Sequence, residues 1–343
     1  MENVTEQNRN NDAAQGGPKT ASQCRTVRYV RCHGSSNRFV MVDGVAEADA
    51  LAGVDLGRLS RRVCDSRCAT GGADGLLVFA AGEGGYAMRM FNPDGSQAEM
   101  CGNGIRCVAR LAADLLHAGE FTLFSGGRPY RITRGEPIGE GLATFGVEIG
   151  VATSGPDFGF FGPDETFVGK VIAPLDGELR FTALNLGNPH VTACVERIDM
   201  ELLRRLGERV KQLPGVFPHG VNVSLYECGP DGLFVATYER GAGITSSCGT
   251  AMTASATAAA LLGLIPFGAE VDVRNSGGMV RCLPQRAADG ALGTRLTGNA
   301  TYEFAGRFLT DAAGAVSEVT VDERFDAETQ AYGRFAANVK KRD

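Results

Sequence analysis

The chain has no tryptophan, four histidines and, although 34 of its 343 residues are Lys or Arg, only five lysines. Two of these, Lys170 and Lys211, lie in the body of the sequence; Lys19, Lys340 and Lys341 sit in or near its ends. That scarcity leaves little from which to build a pyridoxal Schiff base or a Walker-type phosphate loop, both of which need a placed lysine. Positive charge is short overall as well, since 34 basic against 40 acidic residues give a net charge of −6. Nucleic acid and anionic membranes are therefore poor partners, because binding either one draws on a basic surface. The expected partner is a small molecule. No apolar run reaches the roughly 18 residues that span a bilayer. The first 24 residues are polar and carry Glu2, Glu6 and Asp12, which fits neither a secretory signal nor a transit peptide. They are expected to form a flexible tail on a cytoplasmic protein.

What the chain has in plenty is glycine, 47 residues, and cysteine, ten. With 43% hydrophobic residues over this length, it can bury two sizeable cores and is neither disordered nor collagen-like. Cysteines scattered through a chain with no export signal are expected to be thiols rather than disulfides. Their spacing also argues against zinc: Cys64-x3-Cys68 has no matching second pair, and Cys101-x5-Cys107 places two side chains about 240° apart on a helix. No metal and no cofactor are expected.

Strand-forming runs are Val27–Val30, Phe39–Val42, Leu76–Phe79, Ala87–Phe91, Phe121–Phe124, Ala143–Ile149, Phe181–Leu186, Val191–Val195, Val221–Tyr226, Leu233–Tyr238, Val271–Val273 and Gly293–Leu296. Two helices stand out among them. The first starts just after Cys101. It has an apolar stripe of Ile105, Val108, Ala112, Leu115 and Leu116, a polar stripe of Arg106, Arg110 and Asp114, and a stop at His117-Ala118-Gly119. The second, Cys248 to Pro266, is small or apolar on nearly every face and should run through the centre of its surroundings. The pattern predicts an α+β protein. The turn-rich stretch 155–166 is the expected linker, dividing the chain into a tail (1–24), an N-terminal lobe (25–155), a C-terminal lobe (156–310) and an extension (311–343), whose preceding strands can return to the first lobe.

Both helices open on Cys-Gly: Cys101-Gly102-Asn103-Gly104 and Cys248-Gly249-Thr250-Ala251. A Gly/Asn turn precedes each by a similar distance, Asn37 by 101 − 37 = 64 residues and Asn188 by 248 − 188 = 60. The repetition predicts two halves related by a pseudo-twofold axis. A thiol at a helix N-terminus faces unpaired amides and the positive end of the macrodipole, which favour thiolate. The same amides, unobstructed at Gly102 and Gly249, can hold a carboxylate. Two such helix ends facing across a cleft would set sulfurs on opposite sides of one carbon. One thiolate could then remove an α-proton while the other thiol returns a proton from the far face, with no cofactor involved.

FNPDGSQAEMCGNGIRCVAR and YERGAGITSSCGTA resemble the two signature segments of the diaminopimelate epimerase family. HGSSNRFVMVD, GGADGLLVF, GNPHV, FPHGVNV and LTGNATYEFAGRF follow in the same order, so the likeness runs from about Val27 to about Phe308. The resemblance implies two pseudo-symmetric lobes, each a curved sheet around a central helix, with the ligand between them, and a homodimer. It also implies interconversion of LL- and meso-2,6-diaminopimelate on the way to lysine and peptidoglycan. Carried over by motif, Cys101 and Cys248 are the acid/base pair. Gly102, Asn103, Gly249 and Thr250 give amides to the reacting carboxylate, and His190 and Glu239 stand beside the reaction centre. Asn37, Asn92, Asn188, Asn222 and Arg240 match substrate contacts, several directed at the distal end together with Glu239. The family pattern is broken at Ser36, Arg38, Ile244, Ser247 and Asn275-Ser276, departures that bear on substrate range more than on reaction type. Two other readings stand beside it: a cofactor-independent racemase for histidine, proline or hydroxyproline, and a thiol redox or metal-sensing protein, for which CxxC spacing would be expected.

Overall fold

The computed structural model describes residues 24–340 except 83, 156, 161, 163 and 164. The tail expected over 1–24 thus lies, but for Cys24, outside the described residues, as does part of the expected linker. In the described part of that linker Phe158 is buried against the same apolar cluster as Phe217, and Gly159 N donates to Val216 O at 2.9 Å.

The architecture is α+β, dominated by one continuous, mixed sheet. Its order of pairing occurs twice. In the first run Arg25–Gly34, Asn37–Asp43, Leu76–Gly82, Gly85–Phe91, Glu120–Ser125, Arg128–Ile138 and Leu142–Val151 pair in succession as antiparallel, parallel, antiparallel, parallel, antiparallel, antiparallel. In the second, Arg180–Asn185, Pro189–Cys194, Asn222–Gly229, Gly232–Glu239, Val271–Asn275, Gly278–Arg286 and Leu292–Asn299 repeat that order. The last strands of the two runs, Leu142–Val151 and Leu292–Asn299, pair with each other. Thr301–Thr310 then returns to Arg25–Gly34 and carries Val316–Arg324 on its outer edge.

Helices occupy equivalent places in the two runs. Leu56–Val63 and Met200–Lys211 each cross between the second and third strands, as a parallel pairing requires. Asp199 caps the latter by accepting from Glu201 N and Leu202 N at 2.8 and 3.2 Å. Leu59 and Val63 fill one outer cluster with Val27 and Phe308, while Leu203, Leu206 and Val210 fill another with Phe181 and Val223.

The two central helices, Gly102–Leu116 and Gly249–Leu261, share the main core with strands of both runs. In the second, every residue from Gly249 to Ala260 is buried, which its small side chains permit. Its threonines satisfy their hydroxyls inside the helix, Thr253 on Gly249 O at 2.9 Å and Thr257 on Thr253 O at 2.8 Å. The first departs from the sequence expectation. Leu115, placed on the apolar stripe, is 48% exposed, and Arg106, placed on the polar one, is fully buried. The reason is position: Leu115 lies in the last turn, past the sheet, whereas Arg106 lies one turn inside the start, among backbone carbonyls that satisfy it. His117 closes this helix in the left-handed region at φ 49°.

Behind the site the C-terminal helix Asp326–Lys340 packs on the sheet. Glu328 pairs with Arg110, whose guanidinium also stacks 3.7 Å from the Tyr302 ring centre. Tyr332 Oη donates to Gly277 O at 2.9 Å and lies 3.3 Å from Ser36 Oγ.

Candidate active site

Each cysteine of the repeated motif is the N-cap of a central helix. Cys101 has φ −144° and ψ 111°, and Cys248 has φ −126° and ψ 106°, extended backbone that turns the chain sharply into the helix. The two helix starts meet glycine to glycine. A Cβ built on Gly102 would lie 3.7 Å from Gly249 Cα, and one built on Gly249 would lie 3.6 Å from the Gly102 carbonyl carbon and 3.3 Å from Asn103 Oδ1. A side chain at this seam would be tightly packed, and the seam brings both cysteines to one cleft of about 830 Å³.

Of the residues expected at the site, Asn37, Asn92, Cys101, Gly102, Asn103, Asn188, Glu239, Arg240, Cys248, Gly249 and Thr250 line this cleft. His190 and Asn222 do not: both are buried behind its wall. There His190 Nε2 sits 3.1 Å from Asn188 Oδ1 and 3.4 Å from Asn222 Nδ2, while Asn222 Oδ1 accepts from Arg240 N at 2.8 Å. They brace residues that face the cleft.

Hydrogen bonds tie the lining together. Gly104 N donates to Cys101 Sγ at 3.4 Å, and Cys101 Sγ lies 3.9 Å from Asn37 Oδ1. Asn103 Nδ2 reaches Asn37 Oδ1 at 3.4 Å and Ser247 Oγ at 3.5 Å, crossing from one run of strands to the other. On the opposite side Cys248 Sγ is 3.5 Å from Thr250 Oγ1, to which Asn188 Nδ2 donates at 3.2 Å. Thr245 Oγ1 donates to Glu239, and Arg240 Nη1 donates to His219 O at 2.7 Å.

The thiols do not have the low pKa that their helix positions predicted. Burial pushes Cys101 up to about 11, against the opposing amides of Gly104 and Asn103. Burial, and then the Glu239 carboxylate, push Cys248 well above the ordinary thiol range. Desolvation thus outweighs the helix ends. Burial likewise raises Glu239 and lowers His190 to about 3, with Arg240 adding to the latter.

Sequence reasoning missed Asp74, although it lies inside the quoted GGADGLLVF. It lines the cleft and accepts from Asn37 Nδ2 at 3.0 Å and Arg38 N at 2.7 Å. The motif departures find partners here too. Ser35 and Ser36 both take positive φ, 52° and 64°, in the turn before Asn37. Such backbone costs a residue with a Cβ about 1 kcal/mol or more, and the turn is held by Ser35 N on Asn299 Oδ1 at 2.9 Å and Ser36 Oγ on Gly277 O at 2.8 Å. Arg38 pairs with Glu303 at 3.0 Å, Ile244 lines the cleft, and Asn275 Oδ1 accepts from Gly277 N at 3.0 Å. Among the described residues no group of three or more His, Cys, Asp or Glu is placed to hold a metal ion.

The family model for diaminopimelate epimerase matches residues 29–127 and 182–303, which include both cysteine helices. The chain belongs to the diaminopimelate epimerase family. Curated diaminopimelate epimerases from Clostridium acetobutylicum and Enterococcus faecalis are 32% and 35% identical to it, over 92% and 87% of this chain and 95% and 94% of theirs. One from Ligilactobacillus salivarius is 36% identical over 80% of this chain and 88% of its own length. Among solved structures, a PhzF-family phenazine biosynthesis protein of Bacillus anthracis has a TM-score of 0.59 at 14% identity, covering 82% of this chain and 99% of its own. A hydroxyproline epimerase from Agrobacterium vitis has a TM-score of 0.56 at 16% identity, over 84% and 92%. At such identities these two speak for the fold alone.

Proposed function

We propose that this protein is a diaminopimelate epimerase, interconverting the LL and meso isomers of 2,6-diaminopimelate by proton transfer between two cysteines, in lysine and peptidoglycan precursor synthesis. The observation that carries the reading is the glycine seam at which two cysteine-capped helix starts of a diaminopimelate epimerase family member open into one cleft. In the reaction one sulfur, as thiolate, takes the α-proton. The Cα–H electron pair stays on the substrate, delocalised into the adjacent carboxylate, whose oxygens are held by amides at Gly102–Asn103 and Gly249–Thr250. The other thiol then delivers its own proton to the opposite face, so charge and protons balance and the two cysteines exchange roles in the reverse direction. Arg240 can take the distal carboxylate, and Glu239 with the cleft asparagines can take ammonium hydrogens. A substrate lacking the distal groups would leave these unpaired.

The repeated pairing order supports two lobes within 25–155 and 156–310, the strand Thr301–Thr310 at the end of the second range returning to the first lobe, with 311–343 as an extension. The family resemblance supports a homodimer. The ten cysteines, all free, suit a reducing cytoplasm. Among the described residues no helix is long and apolar enough to cross a membrane.

The test is a screen of the purified protein, without added cofactor, for exchange of α-protons with solvent deuterium over diaminopimelate isomers, histidine, proline and hydroxyproline. Exchange confined to diaminopimelate, with epimerisation lost in both Cys101→Ala and Cys248→Ala, is expected. Exchange on another amino acid instead would replace the substrate assignment, and epimerisation surviving in both variants would end the two-thiol mechanism. Sedimentation equilibrium tests the dimer.

A further inference from the structure

The start of the first central helix conceals a full positive charge. Arg106 is 0% exposed, and its guanidinium donates to four oxygens, none of them a carboxylate: Gly102 O at 2.9 Å, Asn103 Oδ1 at 2.9 Å, Ser35 Oγ at 3.2 Å and Asn299 O at 3.2 Å. A buried cation held only by neutral dipoles is costly, and burial accordingly lowers its pKa from the ordinary range. An apolar residue of similar volume would take this donor from all four oxygens, so the arginine here is held by its hydrogen bonds rather than by packing.

Its four partners are the supports of the site. Gly102 and Asn103 form the helix turn that Cys101 caps. By engaging Asn103 Oδ1, Arg106 turns the amide so that Nδ2 faces Asn37 and Ser247 across the cleft. Ser35 belongs to the strained turn that delivers Asn37. In this low-dielectric setting the charge is felt over several ångströms; it reaches Cys101, where it opposes burial and the Glu239 carboxylate and adds to the larger effect of the Gly104 and Asn103 amides.

We propose that Arg106 is a positioning residue for proton transfer: it holds the turn beneath Cys101 in register and supplies the buried positive charge that favours the Cys101 thiolate. The proposal rests on the two-thiol reading for its catalytic meaning, although the thiolate itself can be measured without any substrate.

Two variants separate the two roles. Arg106→Gln removes the charge and keeps donors, whereas Arg106→Lys keeps the charge and loses the planar fork. Each is checked for fold by circular dichroism, then alkylated with iodoacetamide across pH 7 to 10, with Cys101 and exposed Cys24 followed by peptide mass spectrometry. In R106Q, Cys101 alkylation at pH 8 should slow by about threefold or more, since the thiolate is the nucleophile, with Cys24 unchanged. In R106K alkylation should stay within about twofold of wild type while kcat on diaminopimelate falls about tenfold and KM is little altered, as misplacement without loss of binding predicts. A folded R106Q with wild-type Cys101 alkylation overturns the electrostatic role, and R106K with wild-type kcat overturns the positioning role. Should R106Q not fold, a tenfold slower Cys101 in R106K would refute the proposal in its place. If no amino acid is turned over but R106Q still shifts Cys101, the function assigned above fails, and of this proposal the electrostatic role stands and the positioning role falls with it.

Discussion

Gly249→Ala tests whether the glycine seam sets the spacing of the two sulfurs. The new methyl would lie 3.3 Å from Asn103 Oδ1, 3.4 Å from Leu296 Cδ2 and 3.6 Å from the Gly102 carbonyl carbon. These contacts are tight rather than prohibitive, so the helix starts would move apart by a few tenths of an ångström. Overpacking of this kind costs about 1–3 kcal/mol. Against it stands a gain of up to about 1 kcal/mol from replacing glycine with alanine in a helix, leaving a net loss near 1 kcal/mol and a fall in Tm of about 2–4 °C. The catalytic cost should be larger, because the methyl also crowds the amides that face the reacting carboxylate. A drop of 10- to 100-fold in kcat/KM, or about 1.4–2.7 kcal/mol in the barrier, is expected. Deuterium exchange at the substrate α-carbon reads the chemistry, and differential scanning fluorimetry reads the fold. Turnover within about twofold of wild type would refute the reasoning, because the seam would then be packing and nothing more.

Glu239→Gln should speed alkylation of Cys248 at pH 8, since the carboxylate raises that thiol; a slower or unchanged rate contradicts this coupling. His33 and His190 are buried and neutral, lowered to about 4 and about 3. Their contribution is complete above the ordinary pKa of 6.5 and is lost as pH falls, by about 2 kcal/mol each between pH 6.5 and 5. The urea midpoint should therefore be lower at pH 5 than at pH 7, and equal midpoints would show that neither group resists protonation. Glu328→Ala strands the partly buried Arg110 and should cost about 2 kcal/mol, seen as a fall in Tm without change in KM; an unaltered Tm argues that the pair is a surface contact.

The parts of the molecule most legible in sequence were those governed by short-range pattern. Every strand-forming run fell on a strand, because β-branched and aromatic residues clustered there, although strands such as Arg25–Gly34, Leu76–Gly82, Asn222–Gly229 and Leu292–Asn299 run two to four residues past it. Arg128–Ile138 and Gly278–Arg286 went unread because Pro129, Pro137 and Pro284 mask them; their prolines are tolerated where a donor is not needed. Met200–Lys211 was missed despite a usable signal, the Asp199 cap ahead of Leu202, Leu203 and Leu206. At the site, the duplicated Cys-Gly identified the helix starts. Arg106 and the raised thiols were hidden because burial is a tertiary property: an arginine four positions after a glycine carbonyl looks exposed until the surrounding sheet is known.

The pairing of Arg25–Gly34 with Thr301–Thr310 also sets a timetable. The strand that opens the sheet is made early, yet the partner on its outer edge emerges only 301 − 34 = 267 residues later. At about 5–20 residues per second, that interval lasts roughly 13–53 s. Through most of it the edge of the first strand run stands open and the turn carrying Ser35 and Ser36 lacks Gly277 and Asn299; Tyr332 follows later still. The turn beside Asn37 is thus fastened from the far end of the chain, so a chain cut just before residue 332 would own both cysteines and the contacts to Gly277 and Asn299 but would lack the Tyr332 hydroxyl that braces Ser36 and Gly277.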